Sequence, residues 1–186
     1  MKVAFFISSF PTLSETFILN QITGLIDRGV NVVIYAYNHE RGTKIHGDVK
    51  KYDLASKVYY AQMPKNKPWR VIKGLYLFLI NFYRAPIKLI QALNIFRYKK
   101  KAYTLNLLYM GIAILKSREN PDIIHVHFGP NGIIATALKD AGFIKGKVLT
   151  TFHGYDMSVY IDRKGKNIYR GLFEKGSLFL PISEYW

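Results

Sequence analysis

The sequence predicts an α/β domain built on a doubly wound, mostly parallel sheet with helices on both faces, and three observations carry that prediction. Runs rich in β-branched and aromatic residues, among them KVAFFIS (2–8), NVVIYAY (31–37) and DIIHVHF (122–128), are apolar almost throughout, the pattern of strands covered on both faces. Segments with apolar residues at helical spacing lie between them, as the crossovers of a parallel sheet require. With 186 residues, 49% of them hydrophobic, the chain can bury one sizeable core, so one domain over 1–186 is expected.

Taken in order, KVAFFIS reads as a buried first strand. After the loop SFPTLSE, Ile18, Ile22, Leu25 and Ile26 fall on one helical face until Arg28-Gly29 supplies a stop. NVVIYAY is the next strand, 38–56 reads as a long polar loop, and KVYYA (57–61) as a short third strand. Pro68 and Pro86 then open two helices, WRVIKGLYLFLINFY and IKLIQALNIF, and AYTLNLLYMGIAILKSR (102–118) continues as a third, up to Asn120-Pro121. These three helices in a row form an excursion at about 65–119. Alternation resumes with the strand at 122–128, a helix from about Asn131 to Ala141, a strand VLTTF (148–152), a helix around 166–175 and a strand LFLPIS (178–183).

Charge is the strongest compositional signal. Lys and Arg number 27 against 12 Asp and Glu, a formal net charge of +15. No acidic residue lies between Asp53 and Glu119, while 13 Lys and Arg fall in 54–118, so this stretch expects an anionic partner. There is no cysteine, which excludes disulfides and thiolate metal sites. The first apolar run is too short for a signal-peptide core, and the default address is cytoplasmic. The longest uncharged apolar stretch, Gly74 to Tyr83, is about half of the roughly 20 residues that a bilayer crossing needs.

Open parallel sheets bind ligands beyond the carboxyl ends of their strands. That rule gathers four loops at one edge: SFPTLSETF, HFGPNG, HGYD and SEYW. Between them they hold Ser14, Glu15, Thr16, His127, Asn131, His153, Gly154, Asp156 and Ser183. Each has a structural reading beside the functional one. Thr12 and Glu15 fit a T-x-x-E capping box, at a helix start whose free N–H groups also suit a phosphate. Gly129-Pro130-Asn131-Gly132 reads as a tight turn with Asn131 as helix cap. His125, His127 and His153 can be drawn as a metal site, but no carboxylate completes it, and no metal is expected. His153 stands out because it ends a strand and precedes a glycine that lets backbone approach a ligand closely. No G-x-G-x-x-G follows the first strand, and no G-x-x-x-x-G-K-[ST] occurs.

SSFPTLSETFILNQ, IIHVHFG, TTFHGYD and LPISEYW, in this order and spacing, resemble the amino-terminal half of retaining GT-B glycosyltransferases of the family 4 type, as found in bacterial exopolysaccharide and colanic-acid-like assembly. The resemblance implies a Rossmann-like acceptor-side domain, one half of a GT-B fold, facing a second domain that binds a nucleotide-sugar donor and carries an E-x7-E motif. No two glutamates here are eight apart, so that donor domain is expected to be absent from the sequence and the fragment inactive alone. It further implies transfer to a saccharide or lipid-linked acceptor with retention and without a metal. The histidine matching His153 sits near the donor sugar, and the loop matching Ser14 to Thr16 approaches the diphosphate. Asp156 is expected to fix the histidine or to bind a sugar hydroxyl.

The basic excursion fits a lipid-linked acceptor. Trp69, Ile72, Leu75, Tyr76, Leu79, Phe82 and Tyr83 recur at helical spacing, with Arg70 and Lys73 among them and Lys99, Lys100 and Lys101 beyond, the composition of an interfacial surface. The ordinary alternative is that the stripe packs on the sheet and the cations face water. An anionic membrane surface at the inner face of the cell membrane is the expected partner. Two other readings are a sugar- or lipid-binding module without activity and a nucleic-acid-binding domain. The aromatic residues lie in apolar helices and strands rather than interleaved with the cations, and no nucleic-acid partner is expected.

Overall fold

The computed structural model describes residues 1–40 and 45–183. Its six strands are β1 (Lys2–Phe10), β2 (Asn31–His39), β3 (Val58–Tyr60), β4 (Ile123–His127), β5 (Lys147–Phe152) and β6 (Leu178–Pro181). They form one sheet in the order β3-β2-β1-β4-β5-β6. Every pairing is parallel, so the doubly wound, Rossmann-like arrangement expected from the alternation is present. The order reverses between β1 and β4, which places the ligand-binding crevice of this fold at the ends of those strands.

The helices are α1 (Thr16–Asp27), α2 (Gly47–Lys51), α3 (Lys67–Asn81), α4 (Pro86–Ala92), α5 (Ile95–Tyr98), α6 (Lys100–Tyr103), α7 (Asn106–Ser117), α8 (Gly129–Asp140), α9 (Gly154–Met157), α10 (Val159–Lys164) and α11 (Arg170–Lys175). Strand alternation divides the core between the two faces. Val3, Phe5, Ile7, Val32 and Ile34 meet Ile18, Leu19 and Ile22 of α1 and Val49 of α2. On the other face Ala4, Phe6, Val33, Ile124 and Val126 meet α7 and α8 through Leu107, Met110, Ala135 and Leu138. The crossovers thus cover both faces.

Several boundaries differ from the sequence expectation. Within 38–56, α2 and a 3-10 turn over Leu54–Lys57 replace the long loop, although Arg41 to Lys44 lie outside the described residues. Each piece buries one side chain, Val49 or Leu54, and a period cannot be read from a single residue. The helix at 102–118 is two helices, because Leu105 adopts φ 62° between α6 and α7. A leucine in the left-handed region leaves no mark in an apolar pattern. The Thr12–Glu15 capping box is absent: α1 begins at Thr16 with Glu15 as its cap, and the Thr12 hydroxyl donates to the Ser9 carbonyl (3.0 Å). Asn131 is not the cap of α8, which starts two residues earlier with Phe128 as cap.

Two contacts fix the frame of the site. Asp140 at the end of α8 takes both Arg97 nitrogens (2.7 Å each), the Tyr98 hydroxyl (2.9 Å) and Lys175 (3.0 Å), tying α5 and α11 to α8. These donors hold its carboxyl at about 2, well below the usual value, against a burial effect that alone would raise it. At the entry to β5, Gly146 lies so close to backbone that a Cβ would stand 2.4 Å from the Pro121 carbonyl oxygen and 2.7 Å from that of Asp122. Backbone cannot yield there as a side-chain tip would. Gly146→Ala is expected to lower stability by about 3 kcal/mol, read from the urea midpoint, without touching the loops at the opposite end of the sheet.

Candidate functional site

β5 runs Lys147–Phe152 and hands the chain to His153 at the carboxyl edge of the sheet. Its neighbour β4 ends at His127, so the parallel register brings the two histidines together. His127 Nδ1 and His153 Nε2 are 3.3 Å apart. His127 is fully buried, against Phe5 and His125, and its Nε2 has no partner among the described residues. His153 is half-buried between Phe17, at a centroid distance of 4.9 Å, and Phe128 at 4.4 Å. The ring therefore sits in an aromatic clamp made by α1 and the β4–α8 turn, with one edge on His127.

Asp156 sets this geometry. Its carboxylate is fully buried, and Oδ2 accepts the backbone N–H of His153 (3.0 Å) and of Gly129 (3.1 Å). One oxygen thus holds the turn after β5 against the first turn of α8. Asp156 meets His153 through its backbone N–H and not through its ring. Burial raises its pKa despite the two donors. A Cβ at Gly129 would lie 2.6 Å from both Phe152 and Tyr169, so only glycine lets α8 come close enough for this bond. Tyr169 donates its hydroxyl to the Asp156 carbonyl (3.1 Å), closing the cluster from below.

Asn131 serves the same end. Its amide donates to the His127 carbonyl (2.9 Å) and to the Ser8 hydroxyl (3.0 Å), linking the ends of β1 and β4 at the point where the strand order reverses. Ser14 and Thr16 are exposed at the start of α1, and Glu15, partly buried, turns toward Thr12. Burial raises the Glu15 carboxyl, with Glu40 adding to it and Thr12 opposing. Ser183 is exposed beyond β6, and the rest of the SEYW loop, Glu184 to Trp186, lies outside the described residues. The structure thus joins His127, Asn131, His153, Gly154 and Asp156 in one cluster, while Ser14 and Thr16 stand at the start of α1, just before Phe17 in the chain. Phe17 and Phe128 were missed by sequence reasoning; the available signal was that Phe17 is a large aromatic outside the helical stripe of Ile18, Ile22, Leu25 and Ile26.

The histidines do not converge as a metal site: among the described residues no three His, Cys, Asp or Glu side chains are placed to hold an ion. His125 pairs with the Thr151 hydroxyl instead (2.8 Å). Burial, followed by the neighbouring imidazoles, lowers His127 to about 3, and burial followed by His153 lowers His125 to about 4. Burial lowers His153 as well, with Asp156 opposing. All three rings are neutral near pH 7, so His153 has one donor and one acceptor nitrogen, of which Nε2 already faces His127 Nδ1, and no charge.

This has a consequence for stability. In the unfolded chain these rings protonate near 6.5, whereas the folded protein resists protonation down to about 4 and 3. Between those values the unfolded state binds more protons, so stability is complete near neutrality and falls as pH falls through the window. At pH 5 His127 is expected to cost about 2 kcal/mol relative to pH 7, with a smaller share from the partly exposed His125. Urea unfolding at the two pH values measures the difference, and equal midpoints would mean that the rings are protonated in place.

No protein-family model matches the chain. Curated relatives do. It is 38% identical over 192 residues to a protein of Escherichia coli that bears the name colanic acid biosynthesis glycosyltransferase WcaL, and 37% identical over 189 residues to its namesake in Salmonella typhimurium. It is 35% identical over 190 residues to the amylovoran biosynthesis glycosyltransferase AmsK of Erwinia amylovora. Each alignment takes in 100% of this chain and 46% of the relative, so the chain spans about half the length of the relatives it matches. The chain is thus a relative of the exopolysaccharide glycosyltransferases that its four ordered motifs resemble.

Proposed function

We propose that residues 1–186 form the acceptor-side half of a retaining GT-B glycosyltransferase of bacterial exopolysaccharide or other cell-surface polysaccharide assembly. The reaction moves a sugar from a nucleotide-sugar donor to a saccharide, in particular a lipid-linked one, at the inner face of the cell membrane. The cleft closes between this half and a donor-binding half of the kind that the longer relatives have room for. The observation that carries the reading is the placement of His153: a neutral imidazole at a strand end, clamped by two aromatic rings and fixed through Asp156, facing the loop that starts α1.

The chemistry follows from the parts. A departing nucleoside diphosphate is an anion, and the first N–H groups of α1, with the Ser14 and Thr16 hydroxyls beside them, suit its oxygens. The neutral His153 ring orients a sugar hydroxyl by accepting or donating one hydrogen bond and keeps the reacting centres in line. Phe17 and Phe128 exclude water from one side of that ring. The test is sugar transfer from UDP- and GDP-sugars to a lipid-linked saccharide, in a form of the protein that carries a donor half, with the anomeric proton of the product read by NMR. The donor's configuration is expected in the product; an inverted product would overturn retention, and no transfer from any nucleotide sugar would overturn the reading.

A further inference from the structure

α3 is an amphipathic helix facing the wrong way for a water-soluble surface. It meets the body through Gly74, Leu77 and Asn81, the first close enough that a Cβ would stand 3.0 Å from Leu105. The opposite side bears Trp69, Ile72, Leu75, Tyr76, Leu79 and Ile80, between 43% and 62% exposed, with no polar residue among them. α4 and α5, next along the chain, also expose apolar side chains, Ile87, Ile90 and Phe96, the last 92% exposed. Of 24 large hydrophobic side chains exposed in the described residues, 14 lie between Trp69 and Tyr103. Soluble proteins rarely leave so long an apolar patch open.

Two of the three cations of α3, Arg70 and Lys73, are not part of that outer face. Arg70 donates to the carbonyls of Pro64 (2.8 Å) and Lys65 (3.3 Å), and Lys73 to that of Gln62 (2.9 Å). They fasten the helix to the loop after β3. Lys101 is half-buried and lowered by burial and then by Lys175 and Lys99. Exposed cations flank the ridge instead: Lys65 before α3, Lys67 at its first residue, Arg84 after it, where its Nε donates to the Tyr83 hydroxyl (2.8 Å), and Lys99 and Lys100 past α5.

We propose that the α3–α5 ridge inserts into the headgroup and upper acyl region of an anionic lipid bilayer, so that lipid contact is chiefly hydrophobic and the flanking cations add to it. An apolar centre edged by Lys and Arg matches the interface between acyl chains and anionic headgroups. Trp69 and Tyr76 lie seven residues apart on one side of α3, and Tyr83 is exposed just past its end; these are the residue types that settle at that depth. A second copy would bring the same Lys and Arg against one another. The ridge, about 22 Å long in α3, lies along the surface and does not cross it; no helix among the described residues is long and apolar enough for that. The inference stands apart from the sugar-transfer reading.

Vesicles of phosphatidylcholine and phosphatidylglycerol (about 3:1) test it with the 186-residue chain, using Trp186→Phe so that Trp69 is the sole tryptophan. Expected results are co-sedimentation that survives 1 M salt, a blue shift of Trp69 emission and quenching by lipids brominated on the upper acyl chain. Ile72→Ser, Leu79→Ser and Tyr83→Ser together, all at exposed positions, should weaken partitioning about 100-fold while leaving the circular dichroism unchanged. Binding that vanishes at 1 M salt without a blue shift would overturn insertion in favour of surface charge alone. A dimer abolished by the three serines, with no vesicle binding, would assign the ridge to a second copy and overturn the proposal equally.

Discussion

His153→Ala is expected to lower sugar-transfer turnover by about 100-fold or more, in a form of the protein that carries a donor half, while shifting the thermal midpoint by no more than about 3 °C. The ring is half-buried and touches Phe17, itself 38% exposed, as well as Phe128 and His127, so its removal opens toward solvent rather than leaving a closed core cavity. What it removes is one positioned polar group at the mouth of the cleft. His153→Gln, which keeps a donor and an acceptor, should restore part of the loss. A purely structural histidine gives the opposite pattern, a large fall in stability with turnover unchanged per folded molecule, and that result would sink the assignment.

Asp156→Ala is expected to damage both fold and activity. The Gly129 and His153 N–H groups lose a shared acceptor that is itself fully buried; an unmet buried donor costs about 1–3 kcal/mol, so with the Gly129 group buried and the His153 group partly so a loss of about 3 kcal/mol is expected from urea unfolding. His153 is released with it, and turnover should fall at least tenfold even among molecules that remain folded. Asp156→Asn retains an acceptor oxygen for the two N–H groups and should fall between. Wild-type stability in Asp156→Ala would show that the two loops are held by something else.

The sheet was legible because its strands are continuous apolar runs at crossover spacing, and β1, β2, β4 and β5 appear within a few residues of where KVAFFIS, NVVIYAY, DIIHVHF and VLTTF placed them. α9 and α10 were not foreseen, being four and six residues long with few apolar residues to set a period. Within the site, the strand-end rule found His127 and His153, since that rule depends on order alone. It could not show that Asp156 faces backbone N–H groups, that Asn131 bridges β1 to β4, or that Phe17 closes on a ring 136 positions later, because these are facts of packing between elements distant in sequence. The excursion illustrates the same limit: the apolar stripe of α3 was visible, but which side of it faces the sheet is decided by Gly74, whose missing side chain lets α7 approach there.

The central claim, that this chain is one half of a sugar-transfer cleft, is tested most directly by titrating residues 1–186 with UDP- and GDP-sugars in a calorimeter, and again after joining them to the part of the Escherichia coli relative that they do not cover. Weak binding, at about millimolar concentration or worse, and no transfer are expected for the chain alone, with micromolar binding and His153-dependent transfer once the two parts are joined. Micromolar binding or sugar transfer by residues 1–186 alone would contradict the claim.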